Sequence, residues 1–368
     1  MKIKAAVLRE IGKPLTIETV DLAAPRDDEV LVRVRATGLC HTDLEVMKGQ
    51  LGFPLPIVLG HEAAGTVAEI GSAVTHLRPG DPVVLSWNPH CGHCFQCDRG
   101  QPILCDHFLS IGPRGGLFDG TTRISSRGSS LHSLMFIGSF AEYCIVPAQC
   151  AVPVPAEIPL DRACLIGCGV MTGVGGVTRV AKLEYGSSAA IFGCGAVGLS
   201  AIQGARIAGA ASIIAIDLQD DKLALARRLG ASHTINAHNQ DPVSVIREIT
   251  SGRGADYVFE AAGSPQVYRN TMEAVRPGGQ VVWLGKVAVD KEVSFRWGSL
   301  MGEKRIVRSS YGGARPSRDF VDLARSYLRG DLKLDEMITQ RISLEQINDG
   351  FAALENGAAI RSVIIFPD

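Results

Sequence analysis

The chain has 368 residues, with 37 Lys and Arg against 38 Asp and Glu and a net charge of −1. That length gives room for two domains of ordinary size, and the lack of any basic block argues against a nucleic-acid or anionic-membrane surface. Ten cysteines, with no signal-peptide core after Met1-Lys2-Ile3-Lys4, lead us to expect reduced thiols, metal ligation and a cytoplasmic protein.

The first half of the chain reads as short strands separated by turns. Over Glu29 to Ala36, Val30, Val32 and Val34 face one way while Leu31, Arg33 and Arg35 face the other. Gly65 to Ile70 and Asp81 to Leu85 are further predicted strands, broken by the turn cluster Arg78-Pro79-Gly80. Residues 112 to 137, with Gly115-Gly116, Ser125-Ser126 and Ser129-Ser130, read as a loop-like stretch, and composition alone does not exclude a mobile surface loop.

From about residue 170 to 311 the pattern changes to apolar strands alternating with amphipathic helices, the texture of a parallel α/β domain. Ala189 to Phe192 reads as a buried strand and Leu199 to Ile207 as a helix, with Gly193-Cys194-Gly195-Ala196-Val197-Gly198 between them. Ser212 to Ile216 is the next strand. Asp220 and Asp221 open a helix and Arg227 and Arg228 close it, as the helix dipole favours, before Gly230 stops it. Tyr257 to Glu260 and Gln280 to Leu284 are later strands, and the last ~55 residues return to a mixed pattern. The apolar stretch from Ala189 to Ile216 is long enough to span a bilayer, but five glycines and Arg206 break it, so strand, turn, helix and strand is the better reading.

Three sets of residues carry chemistry. Cys91, Cys94, Cys97 and Cys105 read C-x2-C-x2-C-x7-C, and four thiolates on a short loop close a tetrahedron around zinc with no position left for water. Such a site is structural. Cys40, His61 and Cys168, each in a glycine-rich setting, make an open set: two thiolates and an imidazole leave a fourth position for water or an alcohol oxygen. Taken singly, each is more often a small buried residue or an ordinary histidine. The third set is the G-x-G-x-x-G of Gly193, Gly195 and Gly198, in the strand–turn–helix context that lets a backbone approach a pyrophosphate. Asp217 ends the second strand, 19 residues beyond Gly198. An acid there accepts hydrogen bonds from ribose hydroxyls and repels a 2′-phosphate, which favours NAD over NADP.

With these motifs the sequence resembles the zinc-dependent medium-chain alcohol dehydrogenases, from Ala5-Ala6-Val7 to the tail Ile360 to Phe366. Further landmarks are Gly38 to Asp43, Gly60 to Gly65, Pro79-Gly80-Asp81, Gly167-Cys168-Gly169 and Arg361. The resemblance is to the long-form, two-zinc, NAD-dependent members. It implies a β-rich GroES-like catalytic domain over 1–169 and 312–368, and a doubly wound parallel Rossmann domain over 170–311 set in as an insertion, with a cleft beside it. The implied reaction is reversible oxidation of an alcohol to an aldehyde, in which zinc acts as a Lewis acid and hydride passes to NAD. The implied assembly is a homodimer, or alternatively a tetramer, with a small-molecule alcohol or aldehyde as its only other partner.

The resemblance also assigns roles. Thr42 is the first partner of the alcohol proton, and Asp43 and Glu62 orient His61 and balance the metal's charge. His41 approaches the cofactor pyrophosphate, Arg361 belongs to the same anion site, and Lys222 reaches the adenosine ribose, with Val197 inside the glycine motif. Two departures from the family pattern matter. Members that relay the proton through a histidine carry it where this chain has Glu45, so Glu45 and His41 are rival relay candidates. Members acting on the glutathione adduct of formaldehyde carry an arginine where this chain has Leu109, and Leu51 stands where polar anion contacts are expected. The pocket positions Leu51, Trp87, Leu134 and Met135 are large and apolar, a set that equally describes core packing. As a pocket they imply a hydrophobic primary alcohol: benzylic, allylic, terpenoid or medium-chain. Polyol dehydrogenases place a carboxylate where Cys168 stands, and zinc-free quinone reductases lack the Cys and His set. A dinucleotide-binding protein without activity is opposed by the intact ligands, Thr42 and Asp217.

Overall fold

The computed structural model describes residues 1–288 and 290–367. They form two compact units, residues 1–168 together with the segment from Arg315 onward, and residues 169–314. The fold is α/β, a GroES-like β-rich unit and a Rossmann unit. Among the described residues no single helix is long and apolar enough to cross a membrane.

The first unit is organised by one long strand, Glu29–Gly38. It pairs antiparallel with Glu62–Ile70, Tyr143–Pro147 and Ser362–Ile365. The register places the site. Gly38 lies opposite both Glu62 and Val363. Cys40, His61 and Arg361 are the residues just beyond those pairs, so three distant pieces of chain leave the sheet at one end. Gly38 is needed there, because a Cβ at that position would lie 2.4 Å from Glu62 Oε1. Cys40 then caps the short helix His41–Met47.

A second sheet joins Lys2–Leu8 to Thr16–Leu22 on one side and Ile57–Val58 on the other. Here the structure builds strands into the loop-like stretch of residues 112–137. Ile124–Ser126 pairs with Thr16–Leu22, and His132–Ser133 pairs with Ile57–Val58. Leu131, Leu134 and Phe136 are fully buried in the core of this unit. Each such side chain gains roughly 1.5–3 kcal/mol from leaving water, enough to hold a glycine- and serine-rich segment in place.

The second unit holds a six-stranded parallel sheet. Its spatial order is His233–Asn236, Ser212–Asp217, Ser188–Phe192, Ala255–Glu260, Val275–Trp283 and Arg305–Arg308. Numbered along the chain that order is 3-2-1-4-5-6, the doubly wound arrangement of dinucleotide-binding domains. Ala190, Phe192, Ile214, Ile216, Val258 and Val281 are buried within it, as expected for strands covered by helices on both faces. The helix after the second strand, Asp220–Leu229, has its acids in the first turn and Arg227 and Arg228 in the last, and Gly230 leaves it at φ +125°.

Candidate active site

Cys40, His61 and Cys168 come together in the first unit, with one ligand atom from each lying within 4.8 Å of the others. Cys168 Sγ is 3.3 Å from His61 Nε2. A tetrahedral zinc with its usual bond lengths separates a sulfur and a nitrogen ligand by roughly 3.6 Å, so the three side chains fit one ion without large movement. Among the described residues no carboxylate joins this set, and three ligands leave one position of a tetrahedron unfilled by the protein.

Asp43 braces the set from behind. Its Oδ1 lies 3.2 Å from His61 Nδ1 and accepts the Gly60 N–H at 2.9 Å, while its Oδ2 accepts the Cys40 N–H at 3.2 Å. This fully buried carboxylate thereby fixes both the ring orientation and the tautomer that presents Nε2 to a metal. Glu62 is placed differently from Asp43. It faces Arg361, whose Nε is 2.9 Å from Glu62 Oε1 and whose Nη2 donates to Oε2 at 3.2 Å.

Arg361 is itself buried, only 3% exposed. Its guanidinium also donates to Leu39 O at 3.2 Å and contacts Cys40 Sγ at 3.9 Å. The sequence reading gives this arginine to the cofactor's phosphates. In the structure it neutralises Glu62 and lies beside a ligand thiol. The pairing follows from the strand register, which no local motif reveals.

The protons on the set follow from these neighbours. Its bond with Cys168 pulls Cys40 well below the usual thiol range; burial opposes this, and Arg361 and His61 assist. The same bond, reinforced by burial, pushes Cys168 up. Burial lowers the His61 imidazole, but Asp43 and Cys40 outweigh it and hold the ring at about 10. Zinc ligation needs both sulfurs as thiolates and His61 Nε2 free, so binding must displace the protons that Asp43 and burial hold on this set. Calorimetric titration of metal-free protein at pH 8 in buffers of different ionisation enthalpy is expected to show protons released as zinc binds at this site, with affinity rising as pH rises. Uptake without proton release would contradict this arrangement.

The helix His41–Met47 carries the remaining polar candidates. Thr42 and Glu45 are half-buried one turn apart, and His41 is exposed. Of the apolar candidates, Leu51, Trp87 and Met135 are partly buried and pack against the core, whereas Leu134 is fully enclosed within it. Trp87 stacks towards Phe108 with ring centroids 5.9 Å apart, and Phe108 is 6.0 Å from Phe136. Met135 and Phe136 both have positive φ, 50° and 66°, a costly conformation for residues with large side chains. Leu109 is 55% exposed.

Cys91, Cys94, Cys97 and Cys105 form the other cluster, again within 4.8 Å of one another. Cys94 Sγ and Cys105 Sγ are 3.9 Å apart, against roughly 3.8 Å for two thiolates on one zinc. The Cys91 N–H points at Cys105 Sγ at 3.4 Å.

The second unit offers a site that fits a dinucleotide. Gly193 has φ +94°, and a Cβ there would lie 2.8 Å from Ala262 N. A Cβ on Gly198 would lie 1.7 Å from Gly193 O, so the turn closes only with glycine. Gly195 instead faces open space and caps the helix Ala196–Ile207, the position from which helix N–H groups receive a pyrophosphate. Asp217 ends its strand with Oδ2 accepting the Cys194 N–H at 2.7 Å. Lys222 lies in the first turn of the following helix.

Residues 26–156 match the alcohol dehydrogenase GroES-like domain and residues 196–327 the zinc-binding dehydrogenase domain. The chain is 39% identical to an S-(hydroxymethyl)glutathione dehydrogenase of Synechocystis sp., over 99% of this chain and 100% of that protein. The chain belongs to the zinc-dependent medium-chain alcohol dehydrogenase family. Among solved members of the family, an alcohol dehydrogenase zinc-binding domain protein from Burkholderia ambifaria superposes with a TM-score of 0.96 at 40% identity, covering 100% of both chains. The benzyl alcohol dehydrogenase of Acinetobacter calcoaceticus superposes with a TM-score of 0.95 at 34% identity, again over 100% of both. Family membership makes the protein an oxidoreductase, and the Cys40–His61–Cys168 set and the four-cysteine cluster both fit zinc.

Proposed function

We propose that this protein reversibly oxidises a hydrophobic primary alcohol to the aldehyde with NAD as hydride acceptor. The observation that carries the reading is the three-ligand set Cys40, His61 and Cys168, open at its fourth position and braced by buried Asp43. When bound there, zinc supplies Lewis acidity to the alcohol oxygen. Asp43 keeps His61 Nε2 available, and the Arg361–Glu62 pair keeps a second carboxylate from adding uncompensated charge beside the thiols. Thr42 takes the hydroxyl proton. Gly193, Gly195, Val197 and Gly198 cradle the dinucleotide, and Asp217 with Lys222 selects its ribose. The ten cysteines form no disulfide, which fits a reducing compartment such as the cytoplasm.

Leu51, Trp87 and Met135 support an apolar alcohol such as a benzylic, allylic or medium-chain one. The name of the Synechocystis relative supports a second reading, the glutathione adduct of formaldehyde. Leu109 and Leu51 oppose it, because neither offers an anionic conjugate a charge or a hydrogen bond. A panel of benzyl, terpenoid and linear alcohols with NAD, set against S-(hydroxymethyl)glutathione, decides between them. Benzylic or allylic alcohols are expected to show the higher kcat/KM, by tenfold or more; preference for the glutathione adduct would overturn the apolar reading. Lack of NADH formation with every compound would overturn the activity itself.

The way out for the proton lies with Glu45 or His41 on the Thr42 helix, three residues after Thr42 and directly before it. If Glu45 is the relay, Glu45→Gln lowers kcat about tenfold below neutral pH and moves the pH profile of kcat, while His41→Gln leaves the profile alone. The reverse pattern would assign the relay to His41, and two unchanged profiles would leave the proton to water.

A further inference from the structure

Among the described residues, three groups of side chains could hold a metal ion, and the two zinc sites account for only two of them. The third is Cys91, His93 and His107, whose ligand atoms lie within 4.8 Å of one another. We propose that these three side chains form a solvent-facing metal site on the rim of the four-cysteine loop, a port through which zinc reaches and leaves that loop. The proposal rests on the reading that Cys91, Cys94, Cys97 and Cys105 hold zinc, and it goes beyond that reading.

The arrangement runs from solvent to interior. His93 and His107 are exposed, Cys91 is half-buried and Cys105 is buried. Both histidines ride on the same short stretches of backbone as the cysteines. His93 sits between Cys91 and Cys94, and His107 lies in the first turn of the helix Asp106–Ile111, directly after Cys105. The two rings meet edge to face with centroids 5.5 Å apart.

A hydrogen bond prepares one of them. His93 Nδ1 is 2.9 Å from Cys91 O. A carbonyl only accepts, so Nδ1 carries the proton and the neutral ring keeps its lone pair on Nε2, the form in which histidine ligates metals. One thiolate with two imidazoles is a donor set suited to zinc and its neighbours rather than to calcium or magnesium.

The shared residue gives the site its role. A closed four-thiolate site has no vacant position, so direct exchange requires a ligand to leave first. The Cys91 sulfur has lone pairs enough for two ions. An ion held by His93 and His107 contacts that sulfur before the resident zinc has left, and transfer then proceeds by stepwise exchange of ligands through Cys91. Reversal of the same steps releases zinc to solvent. No bond other than metal–ligand bonds forms or breaks, and no electron changes place.

The test follows metal exchange in the full-length zinc-loaded protein. Wild type and the His93→Gln/His107→Gln double variant are mixed with excess cadmium, and uptake is read by cadmium NMR, in which a four-sulfur site is resolved from a site of two sulfurs and one nitrogen. In the double variant, cadmium is expected to enter the four-cysteine site at least tenfold more slowly, with uptake at Cys40, His61 and Cys168 unchanged as an internal control. Zinc content, thermal midpoint and turnover should match wild type, because neither histidine holds the resident ion. Equal exchange rates would overturn the proposal. So would loss of zinc from the double variant, since the histidines would then be holding the ion in place. A single zinc in fresh wild-type protein would instead sink the four-cysteine reading, and metal analysis shows that separately.

Discussion

Replacing Cys168 with alanine should abolish turnover, lowering kcat/KM by about 10³-fold or more, while leaving each chain with one zinc instead of two. The argument starts from the donor set. Cys168 Sγ lies 3.3 Å from His61 Nε2, so its loss leaves only Cys40 and His61 to face an ion. Two ligands hold zinc poorly. The sheet that positions the site does not include Cys168, so the variant should fold and keep its thermal midpoint within a few degrees. Cys97→Ala makes the contrast. It opens the four-cysteine loop, which includes buried Cys105, and should lower the thermal midpoint while freshly prepared protein still turns over at low temperature. Metal analysis and calorimetry on both variants check the division of labour. A Cys168→Ala protein that kept two zinc ions and full activity would exclude this site, and a single zinc in fresh wild type would exclude the two-site scheme.

The sequence made the chemistry legible where one residue type at one spacing has few other uses. Four cysteines within fifteen residues, and a glycine motif between an apolar strand and a helix, are patterns of that kind. The parallel sheet was equally legible, because strands buried on both faces read as unbroken apolar runs. Boundaries were less so. The helix predicted from Leu199 begins at Ala196, because the last glycine of the motif already lies inside it. The strand predicted from Gln280 begins at Val275, since Pro277-Gly278-Gly279 reads as a turn but is carried within the strand at an irregularity in its pairing.

What stayed hidden depends on pairing between distant segments. Leu131, Leu134 and Phe136 sit in a stretch with loop composition, and they are buried because Thr16–Leu22 and Ile57–Val58 recruit the strands around them. The Glu62–Arg361 ion pair joins residues 299 apart through two registers on one strand. The Asp43–His61 contact was implied by the family resemblance, whereas the further bonds of Asp43 to Gly60 and Cys40 needed the folded helix end. His93 and His107 belong to no motif singled out in the sequence, and only the fold puts their rings side by side.

Asp217→Ser should lower kcat/KM for NAD by roughly 10–100-fold and raise that for NADP severalfold, so that the preference between them narrows sharply. Hydrogen bonds to a charged group contribute about 1.5–3 kcal/mol, and the ribose hydroxyls lose a charged acceptor in this variant. The carboxylate's position is fixed before any cofactor arrives. Its Oδ2 accepts the Cys194 N–H at 2.7 Å, and its Oδ1 accepts from Leu218 N at 2.8 Å and Gln219 N at 3.1 Å. These bonds tie the tip of the strand Ser212–Asp217 to the glycine turn, so on the proposed reading one side chain both shapes the phosphate cradle and presents negative charge to the ribose. Serine retains a hydroxyl acceptor for one of those N–H groups but not the charge. The loss should therefore fall mainly on discrimination, with the fold intact and KM for NAD rising more than kcat falls. Leu218 follows where a cation would be needed to attract a 2′-phosphate, and it is 66% exposed, so the variant should gain NADP only by losing repulsion. Adding Leu218→Arg to Asp217→Ser should raise NADP efficiency further, because it supplies the missing attraction. Steady-state kinetics with both cofactors and one alcohol measure all of this. A wild-type protein that used NADP as well as NAD, or an Asp217→Ser variant with an unchanged ratio, would remove Asp217 from the ribose site.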